Sequence, residues 1–218
     1  MDRMKSVRSV TRRSAVATAC AAAASMATLY SCSPSDSVVS STAPPKKRTQ
    51  YGFWMDSKTC VGCASCVAAC QEANGTPDDC EARRKLISYH FDQGESRFVS
   101  ISCMQCAQPA CVSVCPASAL SKRADGIVVV DLDRCIGCKY CHESCPFGIP
   151  NYTSRGMDKC DCCLGAGVEP DQEPYCVQAC PTKALHYGEL EDLRLQAEKK
   201  VGKVSLLEAP TEPSFYLS

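Results

Sequence analysis

Several things are missing from this 218-residue sequence. Its body has no apolar run of about 18 residues or more, which excludes a spanning helix there. Neither charge is in excess: 24 Lys and Arg face 24 Asp and Glu, so nothing points to a nucleic-acid partner. There is no Gly-rich phosphate loop, catalytic triad or carboxylate pair. No direct small-molecule substrate is therefore expected, and the protein reads as non-catalytic. What is abundant is cysteine, with 20 residues, near the level of a cysteine-built scaffold. Composition allows a disulfide framework or metal–thiolate sites, and the spacing has to decide between them.

The N-terminus reads as an address. Arg3, Lys5, Arg8, Arg12 and Arg13 precede a mildly apolar, Ala-rich run from Ala15 to Tyr30. A basic segment before a short apolar one is an export signal, and the adjacent arginines point to the twin-arginine route. The expected destination is the periplasm or the outer face of the cytoplasmic membrane. Leu29-Tyr30-Ser31-Cys32 resembles a lipoprotein cleavage box with Cys32 as the acylated residue; ordinary cleavage nearby, for example after Ala27, is the alternative. Residues 1–32 are thus assigned to the signal. Residues 33–50, rich in Ser, Pro and Thr, form a flexible linker. The folded body is expected over 51–190, with 191–218 as a C-terminal tail.

Sixteen cysteines fall into four groups. Cys60, Cys63, Cys66 and Cys70 are spaced C-x2-C-x2-C-x3-C, and Cys135, Cys138, Cys141 and Cys145 repeat that spacing. Cys103, Cys106, Cys111 and Cys115 form the second group; Cys160, Cys163, Cys176 and Cys180 form the fourth. Pro116, Pro146 and Pro181 follow three of the groups, whereas Gln71 follows Cys70. A cubane cluster needs four thiolates at the corners of a tetrahedron. Three closely spaced cysteines on one loop can wrap three iron atoms, and the loop can turn its N–H groups toward the sulfurs. The fourth cysteine, one helical turn on at the start of a short helix, points away to the neighbouring cluster. Gly62 and Gly137 are expected to let the backbone pass close to the cluster. Cysteines two apart do not pair comfortably as disulfides. Zinc ribbons use paired C-x2-C units, not triplets. The spacing therefore predicts iron–sulfur sites.

Repetition agrees. Cys115-Pro116-Ala117-Ser118-Ala119-Leu120 mirrors Cys180-Pro181-Thr182-Lys183-Ala184-Leu185, as two copies of a two-cluster unit would. Asp125-Gly126 signals a hairpin turn and Ile127 to Val130 a strand. The expected fold class is α+β: a loop-rich, duplicated two-cluster ferredoxin-like fold. Cys162 is read as packing, Cys80 as a free or structural thiol, and Cys20 as part of the signal. Arg83, Arg84 and Lys85 read as a solvated face. His142 sits beside Cys141; His90 and His186 have no constellation.

From Gln50 to about Leu193 the sequence resembles the iron–sulfur subunit of dimethyl sulfoxide reductase and its relatives. The matching stretches are QYGFWMD, SISCMQCAQPACVSVCP, DGIVVVDLDRCIGCKYCHESCPFG and KCDCC…YCVQACPTKAL. The resemblance implies four [4Fe-4S] clusters, a molybdopterin catalytic subunit and a membrane-anchor, quinone-reactive subunit as partners. It also implies the ligand sets: Cys60, Cys63 and Cys66 with Cys180; Cys160, Cys163 and Cys176 with Cys70; Cys103, Cys106 and Cys111 with Cys145; Cys135, Cys138 and Cys141 with Cys115. An outer lobe (51–80 and 150–190) would face the catalytic subunit, and an inner lobe (100–149) the membrane. The signal departs from the familiar subunit and suggests partners of the nitrite, tetrathionate, formate dehydrogenase or hydrogenase type as an alternative. Without residues 1–32 the sequence has 19 basic and 23 acidic residues, a net of −4. Four oxidised clusters with their thiolates add about −8, so the exported protein is expected to be distinctly acidic.

Overall fold

A computed structural model describes residues 49–77, 80–90 and 96–218. The export signal with Cys20, the candidate lipidation site Cys32, and the linker up to residue 48 lie outside them.

Aromatic and β-branched runs form short strands, and each cysteine group carries a short helix. Strand β1 (Tyr51–Met55) leads to α1 (Ser65–Asn74) and a hairpin of β2 (Lys85–His90) with β3 (Ser96–Ile101). After α2 (Ala110–Ser113), β4 (Leu120–Lys122) and β5 (Val128–Val130) form a second hairpin around Asp125-Gly126. There the Gly126 N–H donates to the Arg123 carbonyl at 3.1 Å. Next come α3 (Tyr140–Glu143), the hairpin of β6 (Asn151–Thr153) and β7 (Gly156–Asp158), and α4 (Tyr175–Gln178). Last are β8 (Leu185–Glu189), α5 (Leu190–Val201), β9 (Ser205–Leu206) and β10 (Phe215–Leu217).

Helix length follows from one residue. Pro116, Pro146 and Pro181 come directly after the fourth cysteines, and α2, α3 and α4 each stop at four residues. Proline has no N–H to extend a helix, and it disfavours helical geometry before it. Gln71 imposes no such stop, so α1 runs for ten residues to Asn74. The third cysteine, not the fourth, lies near the start of each helix; the fourth follows one turn later. The side chain of each helix's third cysteine and that of its fourth therefore serve neighbouring sites.

The largest sheet has the order β8-β1-β10-β9. β1 is antiparallel to β8 and parallel to β10. Side chains alternate along β1. Phe53 and Met55 enter the main core with Val99, Met104, Ile127, Leu185 and Phe215, while Trp54 meets Leu193, Ala197 and Tyr216 under α5. Five cysteines, Cys70, Cys160, Cys162, Cys176 and Cys180, are buried members of the main core. A separate small core joins Leu120, Val128, Cys141 and Met157. Among the described residues no helix is long and apolar enough to cross a membrane.

Three expectations need correcting. Residues 191–218 are not a tail: α5 roofs one face of the sheet, and β10 fills the space between β1 and β9. The physical reason is apolar burial, since Phe215 is 2% exposed and Leu193 1%. Gln50, assigned to the flexible linker, is fixed, with its amide donating to the Gln105 carbonyl at 2.9 Å. Arg83, Arg84 and Lys85 are not a solvated face: Arg84 is 1% exposed, Arg83 is paired with Asp158 and Asp161, and Lys85 pairs with Glu81.

If residues beyond 200 complete the core, Phe215→Ala should cost about 3–5 kcal/mol in chemical denaturation. Leu195→Ala, on the exposed side of α5, should change stability by less than about 0.5 kcal/mol.

Candidate metal centres

The sixteen grouped cysteines gather into four sets, each drawing three members from one group and one from another. A small cavity is lined by Cys60, Cys63, Cys66 and Cys180. A second is lined by Cys115, Cys135, Cys138 and Cys141. Apart from the thiols, both walls are largely apolar, with Met55 and Leu185 in one and Leu120, Val130 and Met157 in the other. Cys70 faces Cys160, Cys163 and Cys176. Cys111 faces Cys103, Cys106 and Cys145.

Neighbouring sets share helices. α1 carries Cys66 of one set and Cys70 of the next, and α4 carries Cys176 and leads to Cys180 of the same two sets. α2 and α3 connect the other two sets through Cys111 and Cys115 and through Cys141 and Cys145. A helical turn advances about 5.4 Å, so each helix holds two sites side by side. The pairs join where Cys160 of one set faces Cys103 of another. The sets therefore follow one another in a single file: the Cys60, Cys70, Cys103 and Cys115 sets.

None of the sixteen is in a disulfide. The Cys60 and Cys115 sets also surround a volume rather than a point. Among the described residues no three Cys, His, Asp or Glu side chains are placed to hold one metal ion. Zinc needs four ligands within about 2.3 Å of one centre, so four thiols around an open cavity suit a polynuclear group better.

Electrostatics agree with that fit. Burial pushes the thiols of Cys70, Cys103 and Cys106 up, Cys176 to about 11 and Cys111 to about 12, and thiolates nearby add to each rise. Bare thiolates in these sets repel one another, and an iron core would remove that penalty. Cys160 behaves differently: a hydrogen bond from Cys162 holds it down to about 6 against the effect of burial, helped by Arg84 and Lys159. Cys162 is 2% exposed, so it packs as expected, but it also supports Cys160.

Donors point at the sulfurs. The N–H groups of Ala119, Ala184 and Cys162 lie 3.3, 3.3 and 3.4 Å from the sulfurs of Cys115, Cys180 and Cys160. Ser100 Oγ is 3.2 Å from Cys66 Sγ, and Tyr152 Oη is 3.1 Å from Cys141 Sγ. At Cys106 the direction is reversed: its Sγ donates to Thr211 Oγ1 at 3.4 Å. Asn74 Nδ2 lies 3.8 Å from both Cys70 Sγ and Cys163 Sγ, within reach only because α1 continues past Cys70. Gly62 and Gly137 have φ of 72° and 67°, the left-handed geometry that a loop between two cysteines needs. At Gly62 a Cβ would strike the Phe98 ring; at Gly137 it would meet nothing. Backbone handedness is thus one reason shared by these glycines. His142 Nδ1 is 2.8 Å from the Pro150 carbonyl, and His186 stacks on Trp54.

Sequence reasoning missed Arg84, Lys159 and Gln105. Arg84 and Lys159 are buried at 1% and 2% exposure, beside the thiols. Gln105, with no exposure at all, donates to the Cys160 carbonyl at 3.1 Å and accepts from the Val128 N–H at 2.8 Å. The only available signal was position: Lys159 directly precedes Cys160, and Gln105 directly precedes Cys106.

Comparison with known proteins gives consistent matches. Two family descriptions, both of a 4Fe-4S dicluster domain, match residues 53–116 and 95–190. The protein is 42% identical over 161 residues to the B subunit of anaerobic dimethyl sulfoxide reductase from Escherichia coli K12, covering 67% of this sequence and 77% of that one. It is 37% identical over 153 residues to the thiosulfate reductase electron transfer subunit PhsB of Salmonella typhi, with coverage of 67% and 80%. Protein NrfC of E. coli K12 is 39% identical over 151 residues, with coverage of 66% and 67%.

Gln105→Ala would leave the buried Val128 N–H without its acceptor and the Cys160 carbonyl with Lys159 as its remaining side-chain donor. A loss of about 1–3 kcal/mol is expected, read as a lowered melting temperature of the anaerobically purified protein.

Proposed function

This protein belongs to the family of iron–sulfur subunits that includes the B subunit of dimethyl sulfoxide reductase, and from that premise we propose that it relays electrons through four [4Fe-4S] clusters in single file. It is an electron-transfer subunit of an oxidoreductase complex. The proposed ligand sets are Cys60, Cys63, Cys66 and Cys180; Cys70, Cys160, Cys163 and Cys176; Cys103, Cys106, Cys111 and Cys145; and Cys115, Cys135, Cys138 and Cys141. The observation that carries the reading is the pairing of sites on shared helices, which brings four thiol sets into an unbroken line. When bound, a cluster of this type takes up and gives back one electron.

The protein's own residues do the rest. The thiolates would hold the iron, with Cys63 and Cys138 as exposed members of their sets, and N–H and hydroxyl donors would stabilise the negative charge. A non-catalytic role is part of the proposal, supported by a relative that is an electron transfer subunit. The partners proposed are a molybdopterin catalytic subunit at one end and a membrane-anchored, quinone-reactive subunit at the other. The relatives include subunits of a dimethyl sulfoxide reductase and a thiosulfate reductase, so the large subunit that co-purifies identifies the terminal substrate. Export by the twin-arginine route is part of the proposal, supported by Arg12 and Arg13 before the apolar run. That route suits a protein that folds around its cofactors before transport.

Anaerobic purification should yield about 16 iron and about 16 acid-labile sulfide per protein; about four zinc with no sulfide would overturn the reading. Arg12→Lys with Arg13→Lys should leave the protein inside the cell, as fractionation and immunoblotting would show.

A further inference from the structure

Asp56, Arg84 and Lys159 are the buried charged side chains among the described residues. Asp56 pairs with Lys200 at 3.2 Å. The two cations are different, because no carboxylate pairs with either among the described residues. The acids nearest Lys159 in sequence, Asp158 and Asp161, are taken up by Arg83. A buried cation without a counter-charge is strongly unfavourable. The anions available to these two are thiolates.

Their positions are specific. Arg84 lies over the Phe53 ring at 4.7 Å and faces Cys176, Cys160, Cys66 and Cys70. Those thiols belong to the Cys60 and Cys70 sets, so the guanidinium stands at the joint between them. Its Nη1 reaches Ser100 Oγ at 3.1 Å, and that hydroxyl reaches Cys66 Sγ at 3.2 Å. Its Nη2 donates to Ser102 Oγ at 2.9 Å. Its Nε is buried with no partner. Lys159 is held by the carbonyls of Val128 and Cys160, 2.8 Å for the latter, and faces Cys103, Cys160 and Cys111. It stands at the next joint, between the Cys70 and Cys103 sets. The Cys115 set has no buried cation beside it among the described residues.

We propose that Arg84 and Lys159 are fixed charge braces that set the reduction potentials of the first three sites in the line, with the Cys70 site braced from both sides. The proposal rests on the four-cluster reading. One electron passed along the line oxidises the donor cluster by one unit and makes the acceptor set one unit more negative. A fixed cation beside the acceptor favours that state, and no proton need accompany the electron. Apolar surroundings keep the attraction strong.

The test is a redox titration followed by electron paramagnetic resonance, on the full-length protein in its purified complex, with iron measured on every sample. Arg84→Gln should lower two midpoint potentials, and Lys159→Gln should also lower two. One signal should be common to both, and one should move with neither. Each shift is expected to be at least about tenfold in reduction equilibrium, which is 59 mV for a one-electron couple. Arg84→Lys, which keeps the charge, should stay closer to wild type than Arg84→Gln. Unmoved potentials with full iron, equal shifts in all four signals, or R84K moving as far as R84Q would overturn the proposal. Wild-type iron far below about 16 would instead count against the four-cluster reading. Should R84Q lose iron, Ser100→Ala decides. It removes only the hydroxyl between Arg84 and Cys66, and should lower the Cys60-set potential alone; no change there overturns the role of Arg84.

Discussion

Sixteen grouped thiols in a small protein set one constraint above all others: negative charge has to be held where water is scarce. An ordinary core gains stability by excluding polarity. Here five cysteines are members of the main core itself, beside Phe53, Met55 and Phe215. The fold answers with partial positive charge delivered from many directions. Backbone N–H groups do this at Cys115, Cys160 and Cys180, hydroxyls do it at Cys66 and Cys141, and two buried cations complete the set. Hydrocarbon packing is pushed outward, into the sheet and the layer under α5.

The shared helix is the economical device in this architecture. A four-residue helix contributes little stability of its own. Its use is geometric, since residues one turn apart face sites on either side. Proline then stops the helix and turns the backbone toward the next strand. α1 shows what changes when that stop is absent. The added turn brings Asn74 to two sulfurs of one set, those of Cys70 and Cys163. The same extension places Asn74 Oδ1 to accept from Arg83 at 2.8 Å, linking the end of α1 to the loop that holds Cys160.

Much of the site was legible in the sequence because ligand spacing is local. C-x2-C-x2-C puts three thiols on one loop wherever it occurs, and the repeat of Cys-Pro after the third cysteine shows that the device recurs. The C-terminal region was not legible. Residues 202–214 have no strong periodicity, and β10 has meaning only beside β1, more than 150 residues earlier in the sequence. Arg83-Arg84-Lys85 misled for a related reason. A basic run is usually solvated, and nothing local shows that Arg84 will be drawn inward by thiolates supplied from both halves of the protein. Gln71 looked immaterial because it is no ligand; its effect is on the length of a helix.

The parallel pairing of β1 with β10 has a consequence for how the protein is made. The polypeptide emerges from the ribosome in order, and β1 is among the first folded segments to appear. Its partner β8 and then β10 follow only after all four cysteine groups are outside. Until then both edges of β1 stand open, with Phe53, Trp54 and Met55 lacking their covers. An open edge with such side chains invites wrong pairing. Synthesis therefore leaves an interval in which every thiol is exposed for loading while the sheet remains unsealed, and the arrival of Phe215 closes it.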